Sequence, residues 1–339
     1  MRALLIINPV SGDAEPNAHK VSAIQTYLAR GPFVTDVAYT SPERTSGQIA
    51  REAVAKGVPI VIVGGGDGTV SEVARELIHS QSTLGILPIG TFNNIARSLG
   101  ILPELPEACA VITHGEPREV DVGLANEEHY FFEAAGAGLD ATLFPIGEEI
   151  KGGRWTRILQ AARLTLEYRA QRFDIELDCP LGEAIPAERR KRLPASMLEQ
   201  RRFSRRALFV VGANGPYYGG GFTVAAGARV NDGKLTLSIY GRFSKWELIR
   251  HFRSISRGRH HYSPKIETYT AKEIRIASRR SIPVHVDGQP FGCTPVTLRA
   301  VHGALRVFAL QRKKETEPDA PVALPSEADP SGEKALHHA

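Results

Sequence analysis

Hydrophobic positions along the chain fall into two textures that change near residue 122. In the first part, apolar runs at residues 3–7, 60–63 and 84–87 predict strands, and residues 33–38 read as a further one. Helix-like patterns occupy residues 18–30, 48–56, 69–78, 95–99 and 107–113. Within 69–78 the apolar residues Val70, Val73, Ala74 and Leu77 share one helical face. Residues 60–63 are all β-branched and do not alternate, as expected of a strand covered on both sides. Strands separated by helices predict a parallel, doubly wound sheet with ligands at the carboxyl ends of its strands.

From residue 123 onward strand-like segments dominate, at 130–135, 173–178, 207–213, 234–240, 273–277, 284–287 and 305–310. Phe173, Ile175 and Leu177 alternate with Asp174, Glu176 and Asp178, the pattern of a half-buried antiparallel strand. Helix-like stretches at 155–170 and 245–257 interrupt this region. From Lys313 the chain carries Pro318, Pro321, Pro325 and Pro330 among Glu, Asp and Ser, has no apolar periodicity, and is expected to be disordered. The predicted organisation is an α/β domain over 1–122, a β-rich domain over 123–303 and a tail over 313–339.

Composition changes this picture little. A chain of 339 residues suits two domains. An apolar share of 42% with 23% charged residues is that of a soluble globular protein. No stretch reaches the roughly 18 uninterrupted apolar residues of a membrane helix. The first nine residues lack a signal-peptide cleavage site and read as a first strand. Cys109, Cys179 and Cys293 are odd in number and scattered, which argues for a reducing, cytoplasmic location and against a disulfide framework.

Chemistry concentrates in three polar turns, each placed after a predicted strand and therefore on one edge of the sheet. They are Asn8-Pro9-Val10-Ser11-Gly12, Gly64-Gly65-Gly66-Asp67-Gly68 and Pro88-Ile89-Gly90-Thr91-Phe92-Asn93-Asn94. The second joins a strand to a helix, the arrangement that aims backbone N–H groups at an anion. Asp67 is the odd member, because a carboxylate beside phosphate is repelled unless a divalent cation or a proton lies between them. The pattern is neither GxxxxGK[ST] nor GxGxxG.

Gly65-Gly66-Asp67-Gly68-Thr69 resembles the phosphate loop of the diacylglycerol kinase, sphingosine kinase and NAD kinase superfamily. Taken with the other two turns, Gly136-Ala137-Gly138-Leu139-Asp140 and Val286-Asp287-Gly288-Gln289, the chain resembles the diacylglycerol kinase catalytic family of bacterial lipid kinases from residue 1 to about 312. The resemblance implies an ATP-binding α/β domain, a β-sandwich-like C-terminal domain and an active site between them. It also implies that a final strand within 304–312 returns to the first domain. Matched position by position, nucleotide contacts fall to Asn8, Ser11, Thr40, Gly65, Gly66, Asp67, Gly68, Thr69, Val70, Ser71 and Thr91. Asn93 joins them or caps the helix that follows it. Asp67 would act through Mg²⁺. Asp232, with the carbonyls of Arg229 and Lys234, would hold a Mg²⁺ ion; the rival reading makes 231–233 a hairpin turn.

Two departures bear on catalysis. Gln289 stands where the family's proposed general base is Glu, and an amide cannot accept the substrate proton. Asn94 stands where the family usually has Asp. Either Asp287 takes the base role, or positioning and metal suffice, or the protein binds without turnover. The resulting expectation is a kinase moving the ATP γ-phosphate to a lipid hydroxyl, diacylglycerol by default. An NAD kinase-like enzyme and a non-catalytic nucleotide- or lipid-binding protein are the alternatives.

Partner chemistry follows from charge. Residues 189–192, 201, 202, 205 and 206 place eight cations in eighteen positions, and 242–261 add more. Such cations contribute about 1 kcal/mol each at an anionic bilayer, which suggests peripheral membrane contact. Aromatic–basic interleaving of the RNA-binding kind is missing, which argues against nucleic acid. Trp155, Ile158, Leu159, Ala162 and Leu166 share a helical face expected in the core, or else at an apolar lip for acyl chains. A homodimer is left open.

Overall fold

The computed structural model describes residues 2–9, 18–151, 154, 156–241, 243, 247 and 266–309. Ser11, Trp155, the basic stretch at 242–261 apart from Phe243 and Glu247, and the 313–339 tail lie outside them. The elements run β1 (Arg2–Ile7), α1 (Ala18–Leu28), β2 (Val34–Tyr39), α2 (Ser46–Ala55), β3 (Ile60–Gly65), α3 (Asp67–Leu77), β4 (Thr83–Pro88), α4 (Asn94–Ser98) and α5 (Leu105–His114). They continue with β5 (Glu116–Ala125), β6 (His129–Phe131), β7 (Ala134–Gly138), α6 (Leu139–Lys151), α7 (Arg157–Glu167) and β8 (Gln171–Leu177). Three single-turn helices follow, α8 (Leu181–Ala184), α9 (Ala187–Arg190) and α10 (Ala195–Leu198). The chain then forms β9 (Arg202–Ala207), β10 (Phe209–Ala213), β11 (Tyr217–Tyr218), β12 (Phe222–Thr223), β13 (Leu235–Tyr240) and β14 (Ile266–Ala271). The last strands are β15 (Glu273–Ala277), β16 (Pro283–Val286), β17 (Gln289–Cys293) and β18 (Val296–Ala309).

β1 to β4 are parallel; β1, β3 and β4 are mostly apolar, every residue of β3 and β4 is buried, and β2, with Thr35 and Asp36, forms the more exposed edge. Asn8, Thr40, Gly66 and Gly90 therefore all emerge at the carboxyl edge of this sheet. The sheet does not stop at β4. Its order is β2-β1-β3-β4-β18-β15-β8-β9, with β5 and β6 attached through β18. The 14-residue β18 pairs in parallel with β4 at Val307 and Leu84, and antiparallel with β15 and β5. Its register with β5 shifts between Val301 and Leu305. There the buried Asp121 carboxylate accepts N–H groups from Gly303 at 2.9 Å and from Gly233 at 2.6 Å.

A second sheet, β14-β13-β10-β7-β16-β17, is antiparallel throughout. Phe173, Ile175 and Leu177 of β8 point into a core shared with Val210, Leu235, Leu237, Val284 and Val286. The alternation seen in the sequence is thus realised as one half of a sandwich. That half continues the parallel sheet instead of forming a separate one. The segment expected as one strand at 130–135 splits into β6 and β7, and that at 207–213 into β9 and β10. α6, which contains Pro145, had no expectation.

The helical face at 155–166 is the clear departure. α7 has no buried residue; Leu159 is 80% exposed, and Ile158 and Leu166 are exposed as well. Leu164, on the opposite side, is the residue that packs on the core. The expected burial of the Ile158–Leu159–Leu166 face is therefore corrected to an apolar stripe facing outward.

Candidate active site

β3 delivers the chain into Gly66, and α3 begins at Asp67 with no side chain capping its first turn. The free N–H groups of this turn face solvent at the exposed Gly68, where an added Cβ would meet nothing within 4 Å. Gly66 and Gly90 pack backbone to backbone: a Cβ on Gly90 would lie 2.3 Å from the Gly66 Cα. Glycine is thus needed where the second and third turns touch. Asn8 Nδ2 donates to Thr69 Oγ1 at 3.1 Å and ties the first turn to α3. Thr40 N–H donates to the Ile7 carbonyl beside it. Val70 puts its side chain into the core, and its N–H donates to the Gly66 carbonyl.

Asn93 serves its own loop. It has a positive φ of 52°, Oδ1 accepts from Gly90 N–H, and Nδ2 donates to the carbonyls of Pro88 and Gly90. It makes no side-chain helix-cap bond. The Ile95 N–H, which a capping Asn93 side chain could have bonded, donates to Asp67 Oδ1 at 3.0 Å instead.

The facing wall comes from the β-sandwich. Asp287 and Gly288 join β16 to β17 with φ of 45° and 78°, the positive values of a two-residue type I′ hairpin, for which Asp-Gly is a preferred pair. Asp287 Oδ1 accepts from Glu133 and Ala134 N–H, and Oδ2 from Phe132 N–H, at 2.9–3.1 Å. Burial raises its pKa against the pull of these three amides. Behind the turn, the fully buried His285 bonds Asp140 at 3.0 Å and accepts from Gly288 N–H at 3.3 Å.

Glu133 completes the wall. Asn94 Nδ2 and Gly219 N–H both donate to its Oε2, at 3.0 and 3.1 Å. Burial first, then the charges of Asp287 and Asp67, push its pKa well above the ordinary glutamate range. Between the walls lies a cleft of about 640 Å³, within the range of small-molecule sites. Asp67, Gly68, Ser71, Arg75 and Thr91 line it from one domain, and Glu133, Asp287 and the exposed Gln289 from the other. Glu133 and Arg75 escaped the sequence reading. The available signal for Glu133 was a lone charge in the apolar run Phe131-Phe132-Glu133-Ala134-Ala135.

The Asp232 turn lies apart from the residues lining this cleft. Asp232 Oδ1 accepts from Lys234 N–H at 3.0 Å, and burial raises its pKa, with Asp121 adding to the effect. Residues 231–233 join no two paired strands, so the hairpin alternative is not realised. Among the described residues no three His, Cys, Asp or Glu side chains converge as metal ligands. The basic cluster is partly neutralised: Arg189 and Arg205 pair with Glu267, Arg202 with Glu176, and Lys191 with Glu188.

Residues 2–125 match the diacylglycerol kinase catalytic domain, and residues 137–309 the YegS C-terminal NAD kinase beta sandwich-like domain. Diacylglycerol kinase of Bacillus subtilis is 26% identical over 322 residues, covering 93% of this chain and 98% of that protein. Diacylglycerol kinase of Staphylococcus aureus is 27% identical, covering 91% and 92%. A solved structure of a putative diacylglycerol kinase from Bacillus anthracis superposes with a TM-score of 0.68 at 24% identity, over 91% of this chain and 97% of that one. With both domains matched in order and along nearly the whole described length, the chain belongs to the diacylglycerol kinase catalytic domain family, a family of lipid kinases.

Proposed function

We propose that the protein transfers the γ-phosphate of ATP to the hydroxyl of a lipid, diacylglycerol by default. One observation carries the reading. An open, amide-lined helix N-terminus faces a wall of buried carboxylates across a cleft sized for a small substrate. Phosphoryl transfer needs alignment and charge neutralisation more than covalent help, and the cleft offers both. The amides of 65–69 and the Thr69 hydroxyl cradle phosphates, with Asn8, Thr40, Ser71 and Thr91 beside them. The Arg75 guanidinium, whose buried Nε has no partner among the described residues, adds positive charge. Ser11 belongs to this set by sequence position alone.

The donors fit a divalent cation. Asp67 keeps Oδ2 clear of the Ile95 N–H, and the Asp232 turn offers one carboxylate with the carbonyls of Arg229 and Lys234. Bound Mg²⁺ would neutralise phosphate charge. For the lipid partner, the outward stripe Ile158–Leu159–Leu166 on α7 supports contact with a bilayer surface, consistent with peripheral membrane association from the cytoplasm. It does so better than the 189–206 cations, several of which are paired within the fold.

The test is incubation with labelled ATP, Mg²⁺, NAD and mixed lipid vesicles containing diacylglycerol. Label is expected in the organic phase and should vanish with Asp67→Ala. Label recovered in NADP, or tight ATP binding with no transfer, would replace the reading. Wild-type rates in Asp67→Ala would remove that residue from it.

A further inference from the structure

We infer that Glu133 accepts the proton of the acceptor hydroxyl; the inference rests on the kinase reading above and supplies the base that Gln289 cannot be. Four carboxylates border the cleft: Asp67, Glu72, Glu133 and Asp287. The three besides Glu133 are each tied to another element, Asp287 through both oxygens and Glu72 and Asp67 through one. Asp287 spends both oxygens on three backbone amides and so holds its own turn in place. Glu72 accepts the Ser46 hydroxyl of the neighbouring helix. Asp67 accepts the Ile95 N–H at the mouth of α3, where phosphates gather. Gln289 has no basic atom.

On the sandwich wall, where Asp287 has both oxygens occupied, Glu133 keeps one oxygen open. Both of its hydrogen bonds fall on Oε2, and among the described residues Oε1 has no partner. The carboxyl stands on the wall opposite the glycine loop, so an acceptor hydroxyl lying between them would reach Oε1 on one side and the γ-phosphate on the other. Its surroundings suit a base. Burial first, then Asp287 and Asp67, raise its proton affinity, while the Asn94 amide and the Gly219 N–H favour the ionised form. Tyr218, itself pushed up in part by Glu133, adds no positive charge. Arg75, Glu72 and His129 are the other charged or titratable groups lining the cleft. In the step, the acceptor O–H gives its proton to Glu133. The oxygen lone pair forms the bond to the γ-phosphorus. The bond from the γ-phosphorus to the β,γ-bridging oxygen breaks with its electrons on ADP. Glu133 then releases the proton to water.

The experiment compares kcat and KM for wild type, Glu133→Gln and Glu133→Asp across a pH series, with labelled ATP, Mg²⁺ and diacylglycerol vesicles. Glu133→Gln is expected to lower kcat about 10²- to 10⁴-fold with little change in KM for ATP. The wild-type rate should rise with pH through an acid limb lying above the ordinary glutamate range. Glu133→Gln should lack that limb, and Glu133→Asp should keep it with part of the rate. Wild-type kcat with an unaltered limb in Glu133→Gln overturns the inference. Should that variant fail to fold, Asn94→Ala decides: losing the amide donor should move the limb upward, and an unmoved limb counts against Glu133. If wild type itself passes no label to lipid, the kinase reading falls and the inference with it, a failure distinct from that of the mutant.

Discussion

One wall of the cleft is made of backbone and the other of buried side chains. On the α3 side, Gly66 touches Gly90 and free amides face outward, so the chemistry is carried by residues adjacent in sequence. On the sandwich side, Asp287 reaches the amides of 132–134 across more than 150 residues, and Glu133 meets Asn94 across 39. The first wall depends on small residues leaving space. The second depends on carboxylates held where water would not leave them. Local contacts make a motif, whereas long-range contacts make a pKa.

Three substitutions test that contrast in order of expected effect. Asp287→Ala strands three buried amide donors and should cost about 3 kcal/mol, read as a lower urea midpoint. A loss near zero would mean water replaces the carboxylate, and the sandwich wall would be less tightly built than described. Gly90→Ala should cost about 1–3 kcal/mol by forcing the two glycine turns apart. Gly68→Ala, with open space around it, should leave unfolding unchanged while weakening ATP binding measured by calorimetry. Equal melting losses for the two would contradict the assignment of one glycine to packing and the other to ligand.

Glu133→Gln tests the sandwich wall through a stability change that depends on pH. Its raised pKa means the folded protein holds a proton that the unfolded chain releases near pH 4.3. Below that value both states are protonated and the stabilising effect of proton retention is complete. As pH rises toward the folded pKa, wild-type stability falls. The glutamine variant does not titrate, so it should match wild type in acid and melt higher at neutral pH, by about 2–4 °C for each kcal/mol. A gain independent of pH would assign the effect to packing instead of charge. The expected trade of stability for function is common at active sites.

The parallel half of the fold was legible because its central strands are apolar runs, and its turns carry Gly, Asn and Pro in sequence. Four positions needed for the site lay in plain view: Asn8, Asp67, Gly90 and Asp287. Asp121 and Glu133 were not singled out, though each is a charge within an apolar strand region, Val120-Asp121-Val122 and Phe132-Glu133-Ala134. Nothing local says what such a charge will meet; Asp121 finds Gly233 and Gly303, more than 100 residues away. The exposed stripe on α7 was misread for a related reason. Amphipathic spacing identifies an apolar face but not which way the helix is turned, and here Leu164 faces inward while Leu159 does not.

β18 belongs to both halves of the molecule at once, and this limits how the enzyme can move. Rigid-body opening about a flexible linker, common in two-lobed kinases, would here have to bend β18 or part it from β4 or from β15. Entry to the cleft is therefore expected to depend on the loops that rim it, with little change in the distance between the glycine turns and the sandwich wall.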